Sequence, residues 1–380
     1  MKTKHFSILK VLTLLLALTL LTGCGGGDKP KNGSTVSPAE SQTPAVTPDA
    51  TATTETTETP VATATAESTE TPDATATTEP TKSPAPTETP KPKDKTAKII
   101  ILAGQSNAVG ATLKAPLKTT VGTSRNRAFT KGYENIKIAY FAEAGGANGA
   151  AGTFRTNIDY TAGKTQPLNK VFVKTNLANS WTTQMFGPEI GIAEYLNEKY
   201  PGETFYIVKV AKGGVSVANS WKNTGYCYKK LKETMEICCT SLKAEGYTPE
   251  LFSICWLQGE NEALNKTEAD KYDTIVAGVA ERMRNDFAKY STTGKIAFID
   301  GGISDSPMWT YYKEVNAGKK KFAETSDLNY YFGVIENGLE YKNEPAGNPD
   351  LAHYDSASVV KLGNILGEYI DTAYKAILKK

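Results

Sequence analysis

Histidine is the scarcest reactive residue in this chain: there are two, His5 and His353. That argues against a histidine-rich metal centre, and it leaves any imidazole chemistry outside the leader to His353. Cysteine is nearly as sparse, five in 380 residues, with no Cys-x-x-Cys pair to suggest a zinc or redox site. Four of the five, Cys227, Cys238, Cys239 and Cys255, lie in the last part of the chain, where free buried thiols and a disulfide are both open. No apolar run is long enough for a stable membrane span; the longest is Val11 to Leu21. Neither sign of charge dominates, with 43 Lys and Arg against 41 Asp and Glu, so nothing points to nucleic acid. Aromatic residues are missing altogether from Asp28 to Lys95.

What is present begins with targeting. Lys2, Lys4 and Lys10 flank the start of the apolar run, and Leu21-Thr22-Gly23-Cys24 closes it. A basic start, a short apolar core and a small-residue cleavage site make a secretory signal over residues 1–23. Its last four residues resemble the bacterial lipoprotein box, with Cys24 as the lipidated residue. The expectation is an extracytoplasmic bacterial protein held at the membrane or cell surface by acyl chains on Cys24 rather than by a span. Ordinary cleavage that leaves Cys24 a bare thiol is the alternative. Residues 24–95 then read as a linker of Thr, Pro, Ala, Ser and Glu, in which Thr47–Glu55 recurs as Thr71–Glu79. Such a composition buries too little apolar area to offset chain entropy and is expected to be disordered. A coil of that length reaches about 45–50 Å, enough to hold residues 96–380 off a membrane and near outside polymers.

Residues 96–380 alternate strand and helix patterns. Ile99-Ile100-Ile101-Leu102-Ala103 reads as a buried parallel strand running into the corner Gly104-Gln105-Ser106. Further strands are expected at 136–141, 205–210, 251–257, 295–299 and 330–335. Helices are expected from Pro188-Glu189, across 227–246 and 267–290, and after Asp355, a good N-cap. This alternation predicts a doubly wound α/β sheet, whose ligands bind outside the carboxyl ends of the strands. The chemistry-bearing stretches sit at such ends: Ser106, Gly213-Gly214 and Gln258-Gly259-Glu260, with Asp350 and His353 before the closing helix.

A serine hydroxyl becomes a nucleophile beside a base that a third group orients. Ser106 is the candidate nucleophile and His353 the only base of that type outside the leader. Asp350, three residues before His353, is close enough along one turn to meet its Nδ1–H; Glu260 is the rival carboxylate. An oxyanion needs donors. Those available are the backbone N–H of Ser106, a backbone N–H of Gly213 or Gly214, with Gly213 taken first, and the side-chain amide of Gln258. Asn107, next to the nucleophile, is an auxiliary candidate.

Five short motifs occur in order along these residues: Gly104-Gln105-Ser106-Asn107, Phe186-Gly187-Pro188-Glu189, Gly213-Gly214, Trp256-Leu257-Gln258-Gly259-Glu260 and Asp350-Leu351-Ala352-His353. The set resembles the SGNH-hydrolase superfamily. Within it, the match is to the sialic-acid-specific acetylesterase-like group that includes carbohydrate esterase family six acetylxylan esterases. The resemblance implies a three-layer α/β/α, flavodoxin-like fold with a central, mainly five-stranded parallel sheet. It also implies removal of O-acetyl groups from sugars without metal or other cofactor, with Ser106 as nucleophile, His353 as base and Asp350 as its partner. Many members of the superfamily carry asparagine where Gln258 stands, one methylene shorter. The expected substrate is an acetylated carbohydrate, acetylxylan before acetylated sialic acid or a general short-chain ester. Loops rich in Gly, Asn, Thr and Tyr suit sugars better than a long acyl chain. A non-catalytic glycan-binding lipoprotein is the alternative of another class, and the intact Ser106, Gln258, Asp350 and His353 set speaks against it.

Overall fold

One eight-stranded sheet is built around β1 (Lys95–Gly104). The structure, a computed structural model, describes residues 95–145 and 152–379. The leader, Cys24 and nearly all of the linker lie outside the described residues. β1 pairs in parallel with β3 (Phe205–Lys212) on one side and β4 (Tyr247–Leu257) on the other, so that Ile101 faces both Val208 and Ile254. β2 (Tyr133–Glu143) lies outside β3, while β5 (Ala297–Gly301) and β6 (Asn329–Phe332) extend the sheet beyond β4, all parallel. The order is therefore 6-5-4-1-3-2. Two short strands, Phe154–Thr156 and Val173–Thr175, pair antiparallel with β2.

The three-layer α/β/α architecture is as expected, and the sheet is larger. Leaving out β2, the five remaining parallel strands follow the flavodoxin-like order. The sixth, β2, is inserted between the first two strands of that core and added at its edge. β1 shows why the expected run was apolar throughout. Ile99, Ile101 and Ala103 point into one core layer and Ile100 and Leu102 into the other, all fully buried. Helices α3 (Tyr226–Ala244), α4 (Tyr272–Phe287) and α5 (Tyr312–Ala323) cover the first face. Helices α2 (Glu189–Lys199) and α6 (Ser356–Leu378) cover the second. Each isoleucine buried this way contributes about 1.5–3 kcal/mol.

Asp355 caps α6 as expected, its carboxylate accepting the Ser358 N–H at 2.7 Å. Cys227, Cys238, Cys239 and Cys255 are free and buried, which leaves no disulfide among them. Burial pushes the thiols of Cys227, Cys239 and Cys255 up to about 12, so they are protonated and unreactive. Among the described residues no helix is long and apolar enough to cross a membrane.

Candidate active site

The connections leaving β1 run toward β3 and β2, and those leaving β4 run the other way. The switch point of the sheet, the place where such sheets take ligands, therefore falls between the carboxyl ends of β1 and β4. Gly104 makes the corner possible. Its φ is +145°, and a Cβ there would lie 1.9 Å from the Leu257 carbonyl oxygen. The same carbonyl accepts the Gln105 N–H at 2.9 Å, tying the two strand ends together. Ser106 follows as the first residue of the one-turn helix α1 (Ser106–Val109), half-buried. At that position its N–H has no helical acceptor and is available to a ligand. Asn107 is buried and donates from Nδ2 to Glu260 Oε1 at 2.7 Å, a bond between the segments that follow β1 and β4. The auxiliary residues Asn107 and Glu260 thus meet each other, and Glu260 does not serve His353.

His353 belongs to β7 (Asp350–Tyr354), half of a hairpin with Tyr341–Lys342 whose register slips between those two residues. Its Nδ1 lies 2.8 Å from Asp350 Oδ2. A carboxylate only accepts, so Nδ1 carries the hydrogen and Nε2 is left with the free electron pair. Asp350 is itself held: its Oδ1 accepts the Ala352 N–H at 3.0 Å. That two-residue Asx contact brings Asp350 and His353 together where a regular strand would send them to opposite faces. The helix that carries Ser106 packs directly against β7, and Thr112 Oγ1 donates to the Tyr354 carbonyl at 2.8 Å beside that contact.

Two expected oxyanion donors are corrected. The Gly213 N–H is engaged with the Glu143 carbonyl at 2.9 Å, extending the β2–β3 ladder by one rung. Gly214, exposed and in the left-handed region at φ +64°, directs its N–H to no acceptor among the described residues. Gln258 is fully buried, and both its amide hydrogens are used, on the Val215 carbonyl at 3.1 Å and on Glu262 Oε2 at 2.6 Å. Its Oε1 accepts from the Tyr272 hydroxyl at 2.9 Å. The Gln258 side chain thus braces the turn at Gly214 instead of facing a substrate.

A model of the family described as carbohydrate esterase, sialic acid-specific acetylesterase matches residues 96–372. The chain belongs to this family. It is accordingly a hydrolase of acetyl esters. Among solved structures it is similar to a protein from Arabidopsis thaliana, at 17% identity and TM-score 0.48 over 73% of this chain and 99% of that one. It is similar to NanS at 12% identity and TM-score 0.49, over 75% and 99%. A carbohydrate acetylesterase from Xanthomonas citri gives 14% identity and TM-score 0.41, over 74% of this chain and 57% of that one. No curated protein matches it.

Three features of this carbohydrate esterase escaped the sequence reading. Glu262 accepts the Val217 N–H at 2.7 Å as well as the Gln258 amide, and so joins the loops after β3 and β4. Burial raises its carboxyl, against the hydrogen bonds it receives. Lys209 and Glu189 form an ion pair at 2.8 Å with both side chains fully buried; burial pushes the first down and the second up, and their attraction opposes both shifts. Lys319 pairs with Asp300 at the end of β5, where burial lifts the Asp300 carboxyl to about 6 despite the lysine. The available signal was a lysine inside an apolar strand, Phe205-Tyr206-Ile207-Val208-Lys209-Val210, since a charge there must be paired. Among the described residues no group of three or more His, Cys, Asp or Glu side chains could hold a metal ion.

Proposed function

We propose that this carbohydrate esterase removes acetyl groups from an acetylated polysaccharide, acetylxylan-type first, by a Ser106–His353–Asp350 mechanism. The observation that carries the reading is the 2.8 Å contact between His353 and Asp350, on a strand packed against the helix that begins with Ser106. His353 Nε2 takes the hydroxyl proton of Ser106 as Oγ attacks the acetyl carbonyl carbon. The oxyanion accepts hydrogen bonds from the N–H groups of Ser106 and Gly214. As the tetrahedral species collapses, His353 gives that proton to the departing sugar oxygen, leaving acetyl-Ser106. Water, deprotonated by His353, attacks the acyl-enzyme, and acetate leaves as Ser106 regains its proton. Asp350 keeps the imidazole in the required tautomer and stabilises the imidazolium formed in each half-reaction.

The same reading places the enzyme outside the cytoplasm, anchored to the membrane through lipidated Cys24, with residues 24–95 as the tether. Loops rich in Gly, Asn, Thr and Tyr support a sugar ester over a long acyl chain. Hydrolysis of matched acetyl and octanoyl esters tests this: kcat/KM should favour acetyl by at least about tenfold, the scale of a few unaccommodated methylenes. A preference for octanoyl contradicts it.

A further inference from the structure

Five large apolar side chains are substantially exposed among the described residues: Phe154, Tyr226, Leu264, Met308 and Ile335. All five follow the carboxyl ends of strands, after β2, β3, β4, β5 and β6 in turn. Among the described residues, the edge that bears Ser106 is thus also where large apolar side chains are exposed. The two most exposed, Phe154 at 53% and Tyr226 at 47%, are aromatic, and both pack on Phe141.

We propose that Phe154 and Tyr226 form a platform on which sugar rings of a glycan chain stack while one of its acetyl groups occupies the Ser106 crevice. The proposal rests on the acetylesterase reading and adds to it which residues hold the glycan chain beyond the acetylated sugar. The position follows from register. Phe154 pairs with Glu143, and Glu143 pairs with Lys212, the residue just before Gly213-Gly214. Two strand spacings separate the backbone of Phe154 from that of Lys212, about 10 Å. Phe154 therefore lies about two strands from the Gly213-Gly214 turn, on the side away from β1.

Both rings are fixed from behind. Phe154 stacks on buried Phe141 at 5.2 Å with 27° between planes, and Tyr226 meets Phe141 edge-on at 6.4 Å. The Tyr226 hydroxyl donates to Glu143 Oε2 at 2.8 Å, and the same buried carboxylate takes the Lys212 ammonium and the Gly152 N–H. Rings held this way lose little freedom on binding. A pyranose offers its C–H face to the electron-rich face of an aromatic ring and keeps its hydroxyls in water. A long acyl chain would call for a concave apolar pocket, which an open pair of rings is not.

The test compares wild type, Phe154→Ala, Tyr226→Ala and the ring-preserving Tyr226→Phe. Each is assayed on 4-nitrophenyl acetate and on whichever of acetylated xylan, glucomannan and pectin the wild type hydrolyses best. Loss of either ring should raise KM for the polymer about tenfold, the scale of one aromatic contact. Kinetics on the aryl acetate should stay within about twofold, and Tyr226→Phe should behave as wild type on both. An unchanged polymer KM in both alanine variants overturns the platform, as does an equal loss on both substrates. If wild type releases no acetate from any substrate, the acetylesterase reading itself fails. The platform then stands or falls on retardation of wild type in native gels containing the deacetylated polysaccharides: retardation that Phe154→Ala loses supports it, and equal migration of the two overturns it.

Discussion

In the proposed mechanism His353 serves as the base because Asp350 is where it is. The carboxylate takes the Nδ1 hydrogen at 2.8 Å and is itself steadied by the Ala352 N–H. In Asp350→Asn the amide can donate to Nδ1, which shifts the imidazole to the tautomer with no free electron pair at Nε2. The expected result is a loss of kcat of about 10³–10⁴-fold with an unchanged circular dichroism spectrum. A loss below tenfold would point to another carboxylate, and Glu260, bonded to Asn107, is the residue to test next. At this scale the Asp350–His353 contact was legible, because an i, i+3 carboxylate beside the one histidine of residues 96–380 is a fact of the chain. The choice between Gly213 and Gly214 was not, since it turns on the Glu143 carbonyl one strand away. The amide of Gln258 was misassigned for the same reason: its partners Val215, Glu262 and Tyr272 come from three separate segments.

The corner between β1 and α1 positions Ser106, the proposed nucleophile, and it depends on one residue without a side chain. Gly104→Ala forces a Cβ against the Leu257 carbonyl and a side chain into a positive φ. The substitution should destabilise the protein by about 3 kcal/mol and depress activity by moving Ser106, read together as a lower unfolding midpoint and a lower kcat. An unchanged midpoint would mean that the two strand ends separate more easily than the close packing implies. Elements with plain apolar patterns, such as β1, β3, β4 and α6, stood out from the sequence. α5 did not, because its inward stripe of Val315, Lys319 and Phe322 contains a lysine. Only the pairing of Lys319 with Asp300 makes that position a buried one. β2 was recognisable as a strand, but its place at the sheet edge beyond β3 follows from tertiary pairing alone.

At the scale of the whole molecule, the crevice gathers pieces from residues more than two hundred positions apart in the chain. Ser106 comes from the first strand end, Gly214 from the third, the Gln258–Glu262 brace from the fourth, and His353 from the hairpin before the last helix. The layered order of the strands explains why the pieces share one edge. The proposed tether is a claim about the whole chain as well. Cys24→Ser should move the protein from the membrane fraction to the soluble extracytoplasmic fraction, with activity on soluble acetyl esters retained. Equal membrane association of the two proteins would contradict a lipid anchor. The central claim is that Ser106 carries out acetyl transfer from carbohydrate, and its most direct measurement is acetate release from acetylated xylan and other acetylated glycans by wild type and Ser106→Ala side by side. Release by wild type that falls by about 10⁴-fold or more in the variant is the predicted result, and undiminished release by Ser106→Ala would contradict the account.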